Sequence, residues 1–178
     1  MTDAIRYMVY LLLVLAALQD MIQLRISNLF FLALVALYPL WVFTVGFETD
    51  IWQNVVVFLL AFGLGALAFR GGMLGGGDVK LFMAAALWFD LGTAPRYLMS
   101  IAIFGAILTL VLIVLRRILP VAAAARTGGW AMLQRRGPIP YGVAITGGAL
   151  LCASLYGFNP APRLVLPSLD FEQMAAAR

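Results

Sequence analysis

Asp78 closes a run of glycines, Gly75-Gly76-Gly77-Asp78-Val79-Lys80-Leu81, in a chain otherwise dominated by apolar stretches. An acidic residue at the centre of a membrane helix costs about 2.5 to 3.5 kcal/mol on insertion scales, so it normally faces protein or a wet cavity. A second carboxylate, Asp20, ends the first apolar stretch. Two carboxyls sharing one site cannot both ionise cheaply, because the first negative charge raises the pKa of the second. Such a pair is a natural acid and base: one carboxylate takes a proton from water while its protonated partner hydrogen-bonds a scissile carbonyl, as in aspartic proteases.

The glycines before Asp78 suit that chemistry. Without side chains they permit close approach, so an extended peptide can lie against the backbone beside the carboxylate. Phosphate binding fits poorly, since a P-loop needs Ser or Thr after its lysine and Lys80 is followed by Leu81. Blander uses are open for each residue. Asp78 would serve as a helix N-cap after a glycine turn, and Asp20 as an interfacial partner of Arg25. Lys80 lies two residues from Asp78, where side chains on a regular helix do not face each other. It is expected to snorkel to the interface, with substrate holding or tuning of the carboxyls as a second role.

Other chemistries are excluded by absence. The 178 residues contain no histidine and one cysteine, Cys152, so Ser-His-Asp and Cys-His mechanisms, a disulfide framework and a Cys-based zinc site are ruled out within the chain. Neither metal nor cofactor is expected, and Cys152 reads as a small packing residue.

The elements that must position the carboxylates are membrane helices. The chain is 64% hydrophobic and 11% charged with a mean hydropathy of +1.01, far from the about 45 to 50% apolar and about 25% charged of a soluble domain. Crossing the hydrocarbon takes about 20 apolar residues, and six candidate spans run over 5–18, 29–46, 51–69, 79–91, 97–115 and 139–158. The first is followed by Gln19-Asp20-Met21-Ile22 and not by a cleavage site, so it reads as a retained helix. The fourth is short, which places the backbone around Gly75 to Gly77 partly at membrane depth. The expected fold is thus all-α, a polytopic bundle of six transmembrane helices over 1–158 with a tail over 159–178 carrying Pro160, Pro162 and Pro167.

Six spans place Arg25, Arg70, Lys80, Arg116, Arg117, Arg126, Arg135 and Arg136 on one side, eight of the twelve basic residues. The positive-inside rule makes that side cytoplasmic and both termini exterior. Asp20 and Asp78 are then the only acidic residues at the cytoplasmic face. The net charge of +4 is scattered at the ends of apolar runs, so it sets topology and implies no nucleic-acid partner. Trp41, Trp52 and Trp88 are expected at the exterior interface. Gly63 and Gly65, and Gly147 and Gly148, are expected to let helices pack closely.

Gly75-Gly76-Gly77-Asp78-Val79-Lys80-Leu81 resembles the second-aspartate motif, G-x-G-D, of the type IV prepilin peptidases. Asp20 followed by Arg25-Ile26-Ser27-Asn28 is similar to that family's first-aspartate region, where a basic residue, Ile-Pro and Asn are common. Here Ser27 replaces the proline. Pro140-Tyr141-Gly142 is also familiar from the family. The resemblance implies a membrane aspartic endopeptidase of the inner membrane that removes short basic leaders from prepilins or pseudopilins at the cytoplasmic face. Asp20 and Asp78 would be catalytic, with Gly75, Gly76, Gly77 and Lys80 supporting substrate and backbone. The larger members' cysteine-bearing insert is absent between Asp20 and Leu29, which resembles the short peptidase-only form of tight-adherence (Flp) pili, without methyltransferase activity. Membrane lipid is the other expected partner, and the oligomeric state is not readable. The competing reading is a multispan transporter or pilus-assembly subunit using Asp20 and Asp78 as a proton or cation site.

Overall fold

The computed structural model describes residues 2–46, 51–118 and 137–158. The basic residues Arg126, Arg135 and Arg136 and the 159–178 tail lie outside the described residues. The described chain is all-α, in the order α1 (Thr2–Gln23), α2 (Asn28–Val45), α3 (Ile51–Arg70), α4 (Gly76–Ala86), α5 (Ala94–Ile118) and α6 (Tyr141–Tyr156). Asp3–Gln23, Ile51–Arg70 and Ala94–Ile118 are long and apolar enough to cross a membrane, and Asn28–Thr44 and Tyr141–Tyr156 are shorter apolar helices. Large apolar side chains such as Leu11, Leu32, Leu59 and Leu110 face outward. Apolar surface on that scale is unsuited to water and suits lipid as solvent. The architecture is that of a multi-pass membrane protein.

The packing turns about α4. This helix lies against α2, α3 and α6, while α1 packs on α2 and α6, and α5 packs on α6. Gly65 lets α3 approach α4, since a Cβ there would meet Val79 Cγ1 at 2.7 Å. Gly148 does the same between α6 and α5, where a Cβ would fall 2.5 Å from the Ile101 nitrogen, and Gly147 gives way to the Phe104 ring. Gly63 does not share this role, because a Cβ there would meet open space.

The fourth apolar stretch departs from expectation. Its helix ends at Ala86 and not at Leu91, and 11 residues rise only about 16 Å at 1.5 Å each. The chain continues as turns in which Leu87, Trp88, Phe89 and Asp90 are all buried. Irregular backbone inside a membrane protein must have its polar groups satisfied by protein. Asn54 Nδ2 donates to the Leu87 carbonyl at 3.1 Å, and Tyr97 Oη donates to the Phe82 carbonyl at 2.9 Å. Asp90 and Thr93 satisfy each other, the Thr93 N–H donating to Asp90 Oδ1 at 2.7 Å and the Asp90 N–H to Thr93 Oγ1 at 3.1 Å. Irregular backbone therefore borders both ends of α4: turns and bends over 71–75 lead into Gly76 and Gly77, which are themselves helical, and a second irregular stretch over 87–93 follows the helix.

The tryptophans also require correction. Trp41 and Trp88 are 4% and 2% exposed and pack with Tyr38 in an aromatic cluster, ring centroids 5.7 to 6.1 Å apart. Because the turn after α4 folds into the bundle, Trp88 follows it inward. Trp52, 55% exposed, is the one of the three on the surface. Cys152 is fully buried in the core, as a packing residue would be.

Candidate active site

Three chain segments converge at one end of the bundle: the α1–α2 loop, the α3–α4 loop and the start of α6. The glycines explain how they fit. A Cβ at Gly77 would lie 3.3 Å from Ile26 Cβ and 3.4 Å from the Ile26 nitrogen, so the α1–α2 loop rests directly on the first turn of α4. A Cβ at Gly142 would lie 2.8 Å from Asp20 Oδ2 and 2.9 Å from Ile26 Cδ1. The absence of a side chain at Gly142 is therefore what lets α6 reach Asp20.

Both aspartates are held by backbone at the start of a helix. The Gly142 N–H, in the first turn of α6, donates to Asp20 Oδ2 at 2.8 Å. The Gly75 N–H, at the N-cap of α4, donates to Asp78 Oδ2 at 3.1 Å. Free N–H groups and the positive end of the helix dipole favour a carboxylate at such places. Asp78 is not the N-cap itself, a place taken by Gly75; it is the third residue of α4, and one of its oxygens reaches back to the N-cap nitrogen. Each carboxyl keeps its other oxygen without a hydrogen bond among the described residues. Asp20, 4% exposed, forms no ion pair with Arg25.

The two carboxyls face the same space. Asp20 and Asp78 both line a cavity of about 560 Å³ between Leu74, Pro138 and Tyr141, and both line an adjoining one of about 320 Å³ bounded by Arg25, Ile26 and Gly76. Burial pushes the Asp78 carboxyl above the usual carboxylate range, and the Gly75 N–H, which favours the ionised form, offsets this only in part. A carboxyl that holds its proton more firmly beside a second carboxyl is suited to sharing one proton between two groups.

Lys80 is exposed at this end, and its ammonium donates to Asn28 Oδ1 at 2.8 Å. It joins α4 to the first residue of α2 and so braces the loop that carries Ile26. One exposed hydrogen bond of this kind contributes about 1 kcal/mol. Lys80→Ala is therefore expected to lower kcat/KM by less than about tenfold, measured on a leader-bearing substrate. A loss as large as that from changing either aspartate would place Lys80 in the chemistry itself.

Ser27 stands where the resembled family commonly has proline. Its φ of −66° is the value proline's ring would impose, and its ψ of 140° is one proline can adopt. The serine N–H, which proline lacks, donates to Gln19 Oε1 at 2.9 Å, and its Oγ accepts from the Leu29 N–H at 3.2 Å as the N-cap of α2. Losing the cap costs about 1 kcal/mol, and proline at a compatible φ returns about 0.4 to 1 kcal/mol through the unfolded chain. Ser27→Pro is accordingly expected to leave cleavage within about tenfold of the parent and thermal unfolding in detergent within a few degrees.

Leu24 ends α1 with a φ of 52°, its N–H donating to the Asp20 carbonyl at 2.9 Å, and its side chain lines both carboxylate cavities. A left-handed leucine costs about 1 to 2 kcal/mol. No local pattern marks this residue, because the left-handed turn comes from how the α1–α2 loop returns to the bundle. The Gly142 hydrogen bond and the Asn28 to Lys80 contact were equally hidden as contacts, although the motifs containing these residues were visible.

Comparison with known proteins bears on this end of the bundle. The model of a family described as the type IV leader peptidase family matches residues 7–115, more than half of the chain and including both Asp20 and Asp78. No curated protein and no solved structure gave a significant match.

Proposed function

Since this chain belongs to the type IV leader peptidase family, we propose that Asp20 and Asp78 are the dyad with which it cuts. The protein is an aspartic-type endopeptidase acting on the leaders of prepilins or pseudopilins, and not a transporter or assembly subunit. The observation that carries the dyad is that both carboxyls line one cavity, each with one oxygen fixed by a backbone N–H and one oxygen left over.

In the proposed mechanism one carboxylate accepts a proton from water as the water oxygen attacks the scissile carbonyl. The protonated partner hydrogen-bonds the carbonyl oxygen as negative charge develops on it. Collapse of the tetrahedral intermediate breaks the C–N bond, and the proton taken from water passes to the departing nitrogen. The products are a leader with a free carboxyl and a mature chain with a new amino terminus. Gly75 and Gly76, which line the cavity beside Asp78, leave room for the substrate backbone, whereas Gly77 makes room for Ile26 and not for substrate, and Lys80 supports this edge through Asn28.

The reading places the site at the cytoplasmic face of the inner membrane. Its support is the bias of basic residues toward the loops beside Asp20 and Asp78, with six spans over 1–158, exterior termini and an exterior tail over 159–178. The stretch 79–91, made of α4 beyond Asp78 and the turns after it, would make the fourth crossing. Arginines of the 116–136 segment would repel a basic leader and are assigned to topology and anionic lipid.

The test is reconstitution of the purified chain in lipid vesicles with a prepilin, the products weighed by mass spectrometry. The expected result is one cut at the junction of basic leader and apolar segment, the fragment masses summing to the substrate plus one water. An intact substrate would overturn the reading.

A further inference from the structure

Arg116, at the end of α5, has contacts that the mechanism above does not use. It is one of the basic residues assigned to topology, yet it is half-buried, and its Nη2 donates to the Gly137 carbonyl at 2.8 Å and to the Pro138 carbonyl at 3.2 Å. The packing of α5 on α6 explains this reach. Ile101 lies against Gly148 and Gly105 against Ala144, so the two helices run antiparallel. The last turn of α5, which holds Arg116, therefore passes beyond the first turn of α6 to the segment that leads into it.

The sequence of that segment makes it depend on such a donor. In Gly137-Pro138-Ile139-Pro140 the two prolines fix φ and lack an N–H, and the residue before each is pushed toward extended backbone. The stretch is neither helix nor strand, so its carbonyls have no ladder to join and need donors from elsewhere. A guanidinium is a strong one, because a charged donor makes the shorter and firmer hydrogen bond. At the other end Pro140 is fully buried as the N-cap of α6, and its carbonyl accepts from the Val143 N–H at 3.2 Å. The segment is thus pinned twice, by Arg116 and by α6.

The pinned segment borders the site. Gly137, Pro138 and Ile139 line the cavity of about 560 Å³ that Asp20 and Asp78 share, and two residues past Pro140 the Gly142 N–H donates to Asp20 Oδ2 at 2.8 Å. We propose that Arg116 is a positioning residue for the cut. By holding the Gly137 and Pro138 carbonyls it sets one wall of the dyad cavity and, through the stiff proline segment, the placement of Gly142 against Asp20. The effect on rate rests on the peptidase reading above, whereas the effect on the segment does not. Arg117, the next residue, is exposed and carries the same charge at the same end of α5. It shares any role in topology or lipid binding and so separates those roles from the clamp.

The test compares Arg116→Met, or Arg116→Gln where the first does not fold, with Arg117→Met and Arg116→Lys in the full chain in lipid vesicles. Amide hydrogen exchange over 137–142, read by mass spectrometry, is expected to rise at least about tenfold when Arg116 loses its guanidinium and to stay within about threefold of the parent in Arg117→Met. On a prepilin, kcat of the same Arg116 variant is expected to fall about tenfold with KM within about threefold, because a displaced carboxyl slows the chemistry more than the binding. Arg116→Lys, whose ammonium has three donors for the two carbonyls, is expected to recover kcat to within about threefold of the parent. Equal exchange in the Arg116 and Arg117 variants would overturn the clamp and leave Arg116 to topology. Faster exchange with an unchanged kcat would overturn the link from the segment to the dyad. A parent that cuts no prepilin fails the peptidase reading instead, and the exchange comparison then decides the clamp by itself.

Discussion

Asp78→Asn and Asp20→Asn are each expected to reduce leader removal by at least about a hundredfold, within the about 10² to 10⁴ typical of general acid–base groups, at unchanged protein level. Asparagine isolates the chemistry from the fold. Its amide oxygen can still accept the Gly75 N–H at position 78, or the Gly142 N–H at position 20, so the hydrogen bonds of 3.1 and 2.8 Å that fix these side chains have an acceptor in the variant. The amide cannot take a proton from water at neutral pH. The measurement is single-turnover cleavage of a prepilin by purified variant in vesicles, with thermal unfolding as the control for folding. Cleavage near the parent rate by either variant would show that its aspartate serves only as a cap.

Gly142→Ala should come next in size, with kcat reduced by up to about a hundredfold and KM little changed. The added methyl would sit 2.8 Å from Asp20 Oδ2, the atom that the Gly142 N–H now holds, and 3.1 Å from Asp20 Cβ. Ile26 Cδ1, at 2.9 Å, can rotate away, but Asp20 is fixed from below by α1. The carboxyl must therefore shift, and a displacement approaching 1 Å in a catalytic group can cost about 10² in rate. Gly63→Ala supplies the control, since a Cβ there meets open space. Equal activity of the Gly142 and Gly63 variants would mean that the approach of α6 to Asp20 does not position the carboxyl.

The sequence announced the helices more fully than their ends. Apolar runs located all six helices of the described residues, because lipid as solvent demands long uninterrupted stretches. Where α4 stops was not legible: Leu87, Trp88 and Phe89 are as apolar as the helix before them, and Asn54 and Tyr97, the side chains that satisfy the backbone there, come from elsewhere in the chain. For the same reason Trp88 read as an interfacial indole and is instead buried.

At the candidate site the two carboxylates could be read from their types and from the side of the membrane on which six spans place them. What holds them could not. The partner of Asp20 is 122 residues away, and no local pattern records a contact over that separation. Asn28 and Lys80 were each visible within a motif, yet their hydrogen bond spans 52 residues and appears only once the α1–α2 loop rests on Gly77. Ser27 illustrates the converse. A departure from the resembled pattern reads from sequence as a weakened match, whereas the structure has its N–H and hydroxyl maintaining the turn.

The central claim is that the two aspartates act as one unit, and the double variant Asp20→Asn/Asp78→Asn tests it most directly. Residues that share a single proton-transfer task are strongly non-additive. Single-turnover cleavage by the double variant is predicted to match that of the slower single variant within about threefold. Losses that multiply, so that the double variant falls a further hundredfold or so below either single one, would mean that Asp20 and Asp78 work independently and would contradict the dyad.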